Sequence, residues 1–195
     1  MTRKELQKFY DEYPLLDFSA ARLEYSFYYH PEVLDIAMET FQYVPSDVDV
    51  IMEAQIAAAN DAQQLYSLMR KQLSGDNKRR LRAKLVEHEK DLLPLVQKRC
   101  MTSTQDEFIE NSLHFFLHAR TDYTDWIVQH YRDMRSEYLK SMLCLVPGLR
   151  GAEACLPFLM EETKRLREEY PQETWFQGPL LGVHDIGIRC LGMEE

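Results

Sequence analysis

Three side chains with metal-binding chemistry fall in one row. Glu110, His114 and His118 are spaced four residues apart, which on a helix puts all three on one side. Two histidines four apart is the spacing by which one helix grips a divalent metal; a third protein ligand and an open position would make the site catalytic. Glu110, His130 and Cys100 are the candidates for that third ligand. The glutamate that a His-Glu-x-x-His site uses as its base is missing, and Phe115-Phe116-Leu117 stand between the histidines. The competing reading is a polar stripe that faces water opposite an apolar helix face. No metal or cofactor is expected.

A second group is Asp122, Asp125, Trp126, His130 and Asp133, with Arg132 and Arg135 close by in sequence. Its simplest reading is a capped helix with charge pairs three and four residues apart. A third group is basic. Arg70, Lys71, Lys78, Arg79, Arg80, Arg82 and Lys84 surround Ser74-Gly75-Asp76. Arg79, Arg80 and Arg82 are the candidates for docking an acidic partner, against the plain alternative of a solvated helix end. A fourth group is aromatic: Phe9, Tyr10, Tyr13, Phe18, Tyr25, Phe27, Tyr28 and Tyr29. Tyr25, Tyr28 and Tyr29 share one helix face, and tyrosine suits an interface as well as a core.

Charge limits the partners. The 195 residues carry a net charge of −9, divided as −8 over residues 1–69, +6 over 70–100 and −7 over 101–195. An acidic total opposes general binding to a phosphate backbone. Nucleic acid is therefore not the expected partner; another protein is, and self-association stays open. Cys100, Cys144, Cys155 and Cys190 contain no Cys-x-x-Cys pair, so neither a zinc knuckle nor a redox motif is indicated. Met1-Thr2-Arg3-Lys4-Glu5 lacks a secretory apolar stretch and no apolar run reaches membrane-spanning length. The expectation is a cytoplasmic chain, not bound to a membrane, with reduced thiols.

The elements that must position these groups are helical. Glycine is absent before Gly75, and no segment alternates apolar and polar residues with β-branched enrichment. Capping boxes at Thr2-x-x-Glu5 and Thr104-x-x-Glu107 mark helix starts, as do Ser19, Ser46 or Asp47, and Asp122. Long helices are expected over about 46–73, with Val48, Ile51, Met52, Ile56 and Ala59 on its apolar face, and over about 77–99, where Pro94 should kink or split it. Others are expected over about 104–119, 123–145, 152–170 and 173–189, the last starting at Pro179 in an alternative reading. Gly178 and Gly182 have the spacing that lets helices approach closely. The fold expected is all-α, with eight or nine mostly antiparallel helices in one domain over 1–195, and a subdivision into 1–73 and 77–195 is an option.

Two stretches look alike. Leu92-Leu93-Pro94-Leu95-Val96-Gln97-Lys98-Arg99-Cys100 leads into the helix over 104–119, and Cys155-Leu156-Pro157-Phe158-Leu159-Met160 leads into the helix over 173–189. Each is an apolar helix broken by proline, then a polar break, then an amphipathic helix. This resembles the HEAT repeat over roughly residues 80–195. The resemblance implies stacked helix pairs that offer a concave face to a partner. The alternative is an irregular bundle. DNA glycosylases built from HEAT-like repeats use Trp, Asp and Arg in such a groove, so the resemblance makes Asp125, Trp126 and Arg132 the site of an alternative, nucleic-acid-associated function. Spacing assembles no nucleophile–base pair. The leading expectation is a non-catalytic protein–protein interaction module: adaptor, immunity-type inhibitor or assembly subunit.

Overall fold

The computed structural model describes residues 2–14 and 44–192, and every regular element among them is helical. They form two compact units. One joins the N-terminal helix to the chain from Asp122 onward; the other holds the described residues from Val44 to Thr121. Ser74-Gly75-Asp76 lies inside the second unit, where Gly75 and Asp76 open a helix rather than form a turn.

That second unit contains α2 (Asp47–Ala58), α3 (Ala62–Leu68), α4 (Gly75–Glu87), α5 (Glu89–Cys100) and α6 (Asp106–His118). Helices pack on the next but one: α2 on α4, α4 on α6, and α3 on α5. Two rows of stacked helices result. Buried Leu65, Leu68, Met69, Leu81, Leu85, Leu92, Val96, Phe108, Ile109 and Leu113 fill the space they share. The expected helix over 46–73 is two helices. Ala59 leaves the helical region (φ −68°, ψ 122°), and Asp61 starts α3 by accepting the Gln64 N–H at 2.8 Å. The expected helix over 77–99 is also two, but proline does not divide it. The break is at His88 (φ −101°, ψ 20°), and α5 runs through Pro94. The carbonyl that Pro94 leaves without a donor is that of Lys90, an exposed residue.

The other unit contains α1 (Arg3–Glu12), α7 (Thr124–His130), α8 (Glu137–Leu143), α9 (Leu145–Arg150), α10 (Leu156–Glu169) and α11 (Gln177–Leu191), with single 3-10 turns at Tyr131–Asp133 and Glu153–Cys155. Here α11 is the hub: α1, α8, α9 and α10 all pack on it. Leu180, Val183 and Ile186 of α11 meet Leu6 and Phe9 of α1 and Leu156, Leu159 and Leu166 of α10. The hub is approached closely because it carries glycine. A Cβ on Gly182 would lie 2.7 Å from the Cys144 carbonyl oxygen, and one on Gly148 would lie 2.6 Å from the Gly182 Cα. The expected helix over 123–145 breaks at Met134, which is extended (ψ 137°), and Ser136 caps a new helix by accepting the Leu139 N–H at 3.1 Å. Pro147 does not end a helix but sits in the first turn of α9, where a missing N–H costs nothing.

The caps divide in the same way. Thr2 and Glu5 form their box, and so do Ser46 and Asp49. The Thr104-x-x-Glu107 box does not form: α6 starts at Asp106 after Gln105, with no side-chain cap. Asp122 accepts the Thr124 N–H at 2.9 Å, one residue short of a full cap for α7.

Candidate functional site

Glu110, His114 and His118 do share one side of α6, but that side is not an open polar stripe: His114 is buried and Glu110 and His118 are half-buried. That side faces α4, whose Lys78 and Arg82 are themselves one turn apart. Lys78 Nζ donates to Glu110 Oε2 at 2.7 Å, and Arg82 Nη1 lies 3.5 Å from His118 Nε2. His114 lies between, only 7% exposed, with its ring 6.3 Å from that of His118 and nearly parallel to it. Burial, then the charges of His118, Arg82 and Lys78, push its imidazole down to about 3. A metal here would have to displace an ammonium from Glu110 and sit beside a guanidinium. Among the described residues, no group of three or more His, Cys, Asp or Glu is arranged to hold a metal. The row is a polar seam between two stacked helices.

Most of the basic run is engaged within its own unit. Arg79 and Arg80 both donate to Asp76, at 2.7 and 2.6 Å, and Arg80 also meets Glu53 at 3.0 Å. Burial pushes the Asp76 carboxyl up, but the two guanidinium groups outweigh it and hold it below the usual range. Lys84 Nζ donates to the Ala57 and Ala59 carbonyls at 2.6 and 2.7 Å and so closes the C-terminal end of α2. Arg70 lies over the Tyr66 ring. Tyr25, Tyr28 and Tyr29 lie outside the described residues.

The group around Trp126 does not converge. Trp126 stacks on His130, with centroids 5.2 Å apart, and Arg132 points into solvent, 83% exposed, within 3.6 Å of Glu161. Asp125 is exposed. Asp125 and Asp122 lie near the half-buried Cys155 and, after burial itself, raise its thiol. All four cysteines are free. Burial pushes the Cys100 thiol up to about 12 and that of Cys144 higher still, which removes both as nucleophiles at neutral pH.

Sequence reading missed two polar clusters. Arg165 of α10 donates to Glu162 at 2.8 Å and Glu169 at 2.8 Å on its own helix, and to Glu137 of α8 at 2.7 Å; Lys140 meets Glu137 at 2.8 Å. Burial works against charge on both Glu137 and Arg165, but the hydrogen bonds among them outweigh it and keep both ionised. The i, i+3 and i+4 acids around Arg165 were visible in the sequence, but Glu137 is distant along the chain. Glu89, 5% exposed, accepts the N–H groups of Arg120 and Thr121 at 2.6 and 3.1 Å. No sequence signal marks that pairing.

The surface of α2 also departs from expectation. Ile56 and Ala59 are buried as the apolar spacing requires, but Val48 and Ile51 are 65% and 55% exposed. Val44, Val48, Val50 and Ile51 are all the large apolar side chains left exposed among the described residues, and they lie within eight positions of one another. Comparison of the chain with family models, with curated proteins and with solved structures gives no match.

Proposed function

We propose that the chain is a non-catalytic helical module that binds another protein, as an adaptor, an inhibitor or an assembly subunit. The observation that carries this reading is the concentration of exposed large apolar side chains at the start of α2. Single exposed apolar residues are ordinary on any surface, whereas a contiguous group of them marks a contact. The groups with reactive chemistry support the same reading. His114 is buried and held neutral, Glu110 is held by Lys78, and the Cys100 and Cys144 thiols are raised far above neutral pH. The HEAT-like reading over roughly residues 80–195 remains part of this proposal; of its two helix pairs, α10 and α11 pack on each other, and such pairs in a stack would present a binding face. Four free cysteines suit a reducing compartment, and the cytoplasm is the proposed location. No helix among the described residues is long and apolar enough to cross a membrane.

The nucleic-acid alternative is weaker because the cations it needs are taken. Lys78, Arg79 and Arg80 are bound to carboxylates of their own unit. Two measurements test the proposal. A photo-crosslinking residue is placed at position 48, and separately at 94 and 173, in the producing cell; a discrete protein adduct from at least one position is expected. A gel shift with duplex DNA and with RNA near physiological salt should show no complex. Submicromolar nucleic-acid binding with no protein adduct at any position would overturn the reading.

A further inference from the structure

Where α1 meets α11, one polar atom goes unanswered. The His184 ring of α11 lies face to face with the Tyr10 ring of α1, with centroids 3.9 Å apart and planes 10° apart. His184 Nε2 is buried and has no hydrogen-bond partner. The Tyr10 hydroxyl is engaged elsewhere, donating to the Val183 carbonyl at 3.3 Å. Gly187 makes room for it: a Cβ there would run into that hydroxyl. Burial, then the Asp185 carboxylate, raises the Tyr10 phenol, so it stays a neutral donor.

An imidazolium carries a proton on both nitrogens, and at His184 the buried N–H would have no acceptor. Burial pushes this imidazole down to about 4 from the usual 6.5, and burial is the sole cause. The ionisable groups of the surrounding helices add nothing to the shift: Tyr10 and Asp11 of α1, Asp185 of α11, Lys140 of α8, Arg150 of α9 and Arg167 of α10. A proton on His184 therefore requires water at Nε2, and the helices around α11 differ in how easily they admit it. Behind α11 the contacts are backbone on backbone, with a Cβ on Gly182 only 2.7 Å from the Cys144 carbonyl oxygen. In front, α1 is a ten-residue helix held by side chains. Leu6 and Phe9 pack on the α11 core, and Arg167 lies over the Tyr13 ring, 5.3 Å from its centroid. Short terminal elements of this kind open at lower cost than the core behind them.

We propose that α1 is an acid-released latch: on acidification His184 takes up a proton, α1 leaves α11 while α8, α9 and α10 stay packed, and Val183 and Ile186 lose the cover of Leu6 and Phe9. This does not depend on the interaction-module reading. The closed form refuses a proton that the open form accepts. The latch is therefore shut above about pH 6.5, loosens as the pH falls, and gains nothing further below about pH 4. Between pH 7 and pH 5 the ratio of open to closed α1 should rise about 25-fold. Cation–π attraction of the imidazolium to the Tyr10 face opposes this release.

The test is residue-resolved hydrogen exchange on the full chain at pH 7 and pH 5, corrected for the intrinsic exchange rates. The α1 amides should lose protection about 25-fold at pH 5 and exchange at least tenfold faster than those of α10. His184→Phe keeps a ring against Tyr10 and removes the titration, so its α1 protection should be the same at both pH values. Unchanged α1 protection in the wild type would overturn the proposal. So would one common rate for α1 and α10, which would mean that α1 opens only with the whole unit, or a 25-fold loss that persists in His184→Phe. Should that variant not fold, an NMR titration of the His184 imidazole in the wild type decides. The ring should take up its proton only as α1 loses protection, and a protonated ring under a fully protected α1 would show an imidazolium held on Tyr10 and sink the latch.

Discussion

Individual side chains in this protein change meaning with their surroundings. His184 of α11 stacks on Tyr10 of α1, with ring centroids 3.9 Å apart and planes within 10°. Burial alone pushes its imidazole down to about 4 from the usual 6.5. The folded chain therefore refuses a proton that the unfolded chain accepts, so stability is complete above about pH 6.5 and falls as the pH drops toward 4. His184→Phe keeps a ring against Tyr10 and removes the titration. Between pH 7 and pH 5 the wild type should lose about 2 kcal/mol more stability than this variant, read from urea unfolding at each pH. Equal losses would show that the ring takes up its proton without leaving the stack. Histidine as a residue type was evident in the sequence; its burial was not. His114 makes the same point, since its row on α6 was legible while the Lys78 and Arg82 opposite it came from a different helix.

At the scale of elements, glycine decides how closely α11 can be surrounded. Gly178 and Gly182 are one turn apart, and across from them stand Ser141 and Cys144 and, on α9, Gly148. A methyl group on Gly178 would run into the backbone carbonyl of Ser141, whose hydroxyl also donates to the Trp175 carbonyl. In an exposed helix, replacing glycine by alanine gains about 1 kcal/mol. At Gly182 the neighbour is backbone, which cannot turn aside, so Gly182→Ala should instead cost about 3 kcal/mol. Chemical denaturation of the variant decides the sign, and a gain would mean that α8 and α9 do not press on α11. The small-residue spacing was readable in advance, and so were the box at Thr2 and a cap at Ser46 or Asp47, because these depend on neighbours in sequence. The breaks at Ala59, His88 and Met134 were not. Each has ordinary helix-compatible residues around it, and each is where the chain must turn so that both flanking helices can reach the core.

For the whole molecule, the thiols report the packing of both units. Cys190 is exposed, Cys155 half-buried, and Cys100 and Cys144 are buried. Iodoacetamide at mildly alkaline pH should therefore modify Cys190 first, Cys155 more slowly, and Cys100 and Cys144 only after denaturation, with four additions in the final mass. A non-reduced mass short by two disulfides, or early modification of Cys100, would contradict this arrangement. Composition and periodicity were enough for the all-α class, because helix formation is set by local spacing, caps and the placement of glycine and proline. They were enough, too, to put Glu110, His114 and His118 in one row and to make the chain acidic with a basic middle. What the row faces, and which charges remain available, were decided by tertiary structure. Lys78 reached Glu110, Arg80 reached Glu53, and Val48 and Ile51 stayed outside although their spacing matched that of buried Ile56. The physical reason is that periodicity defines the faces of a helix, but burial of a face depends on whether a second helix arrives to cover it, and that helix is specified elsewhere in the chain.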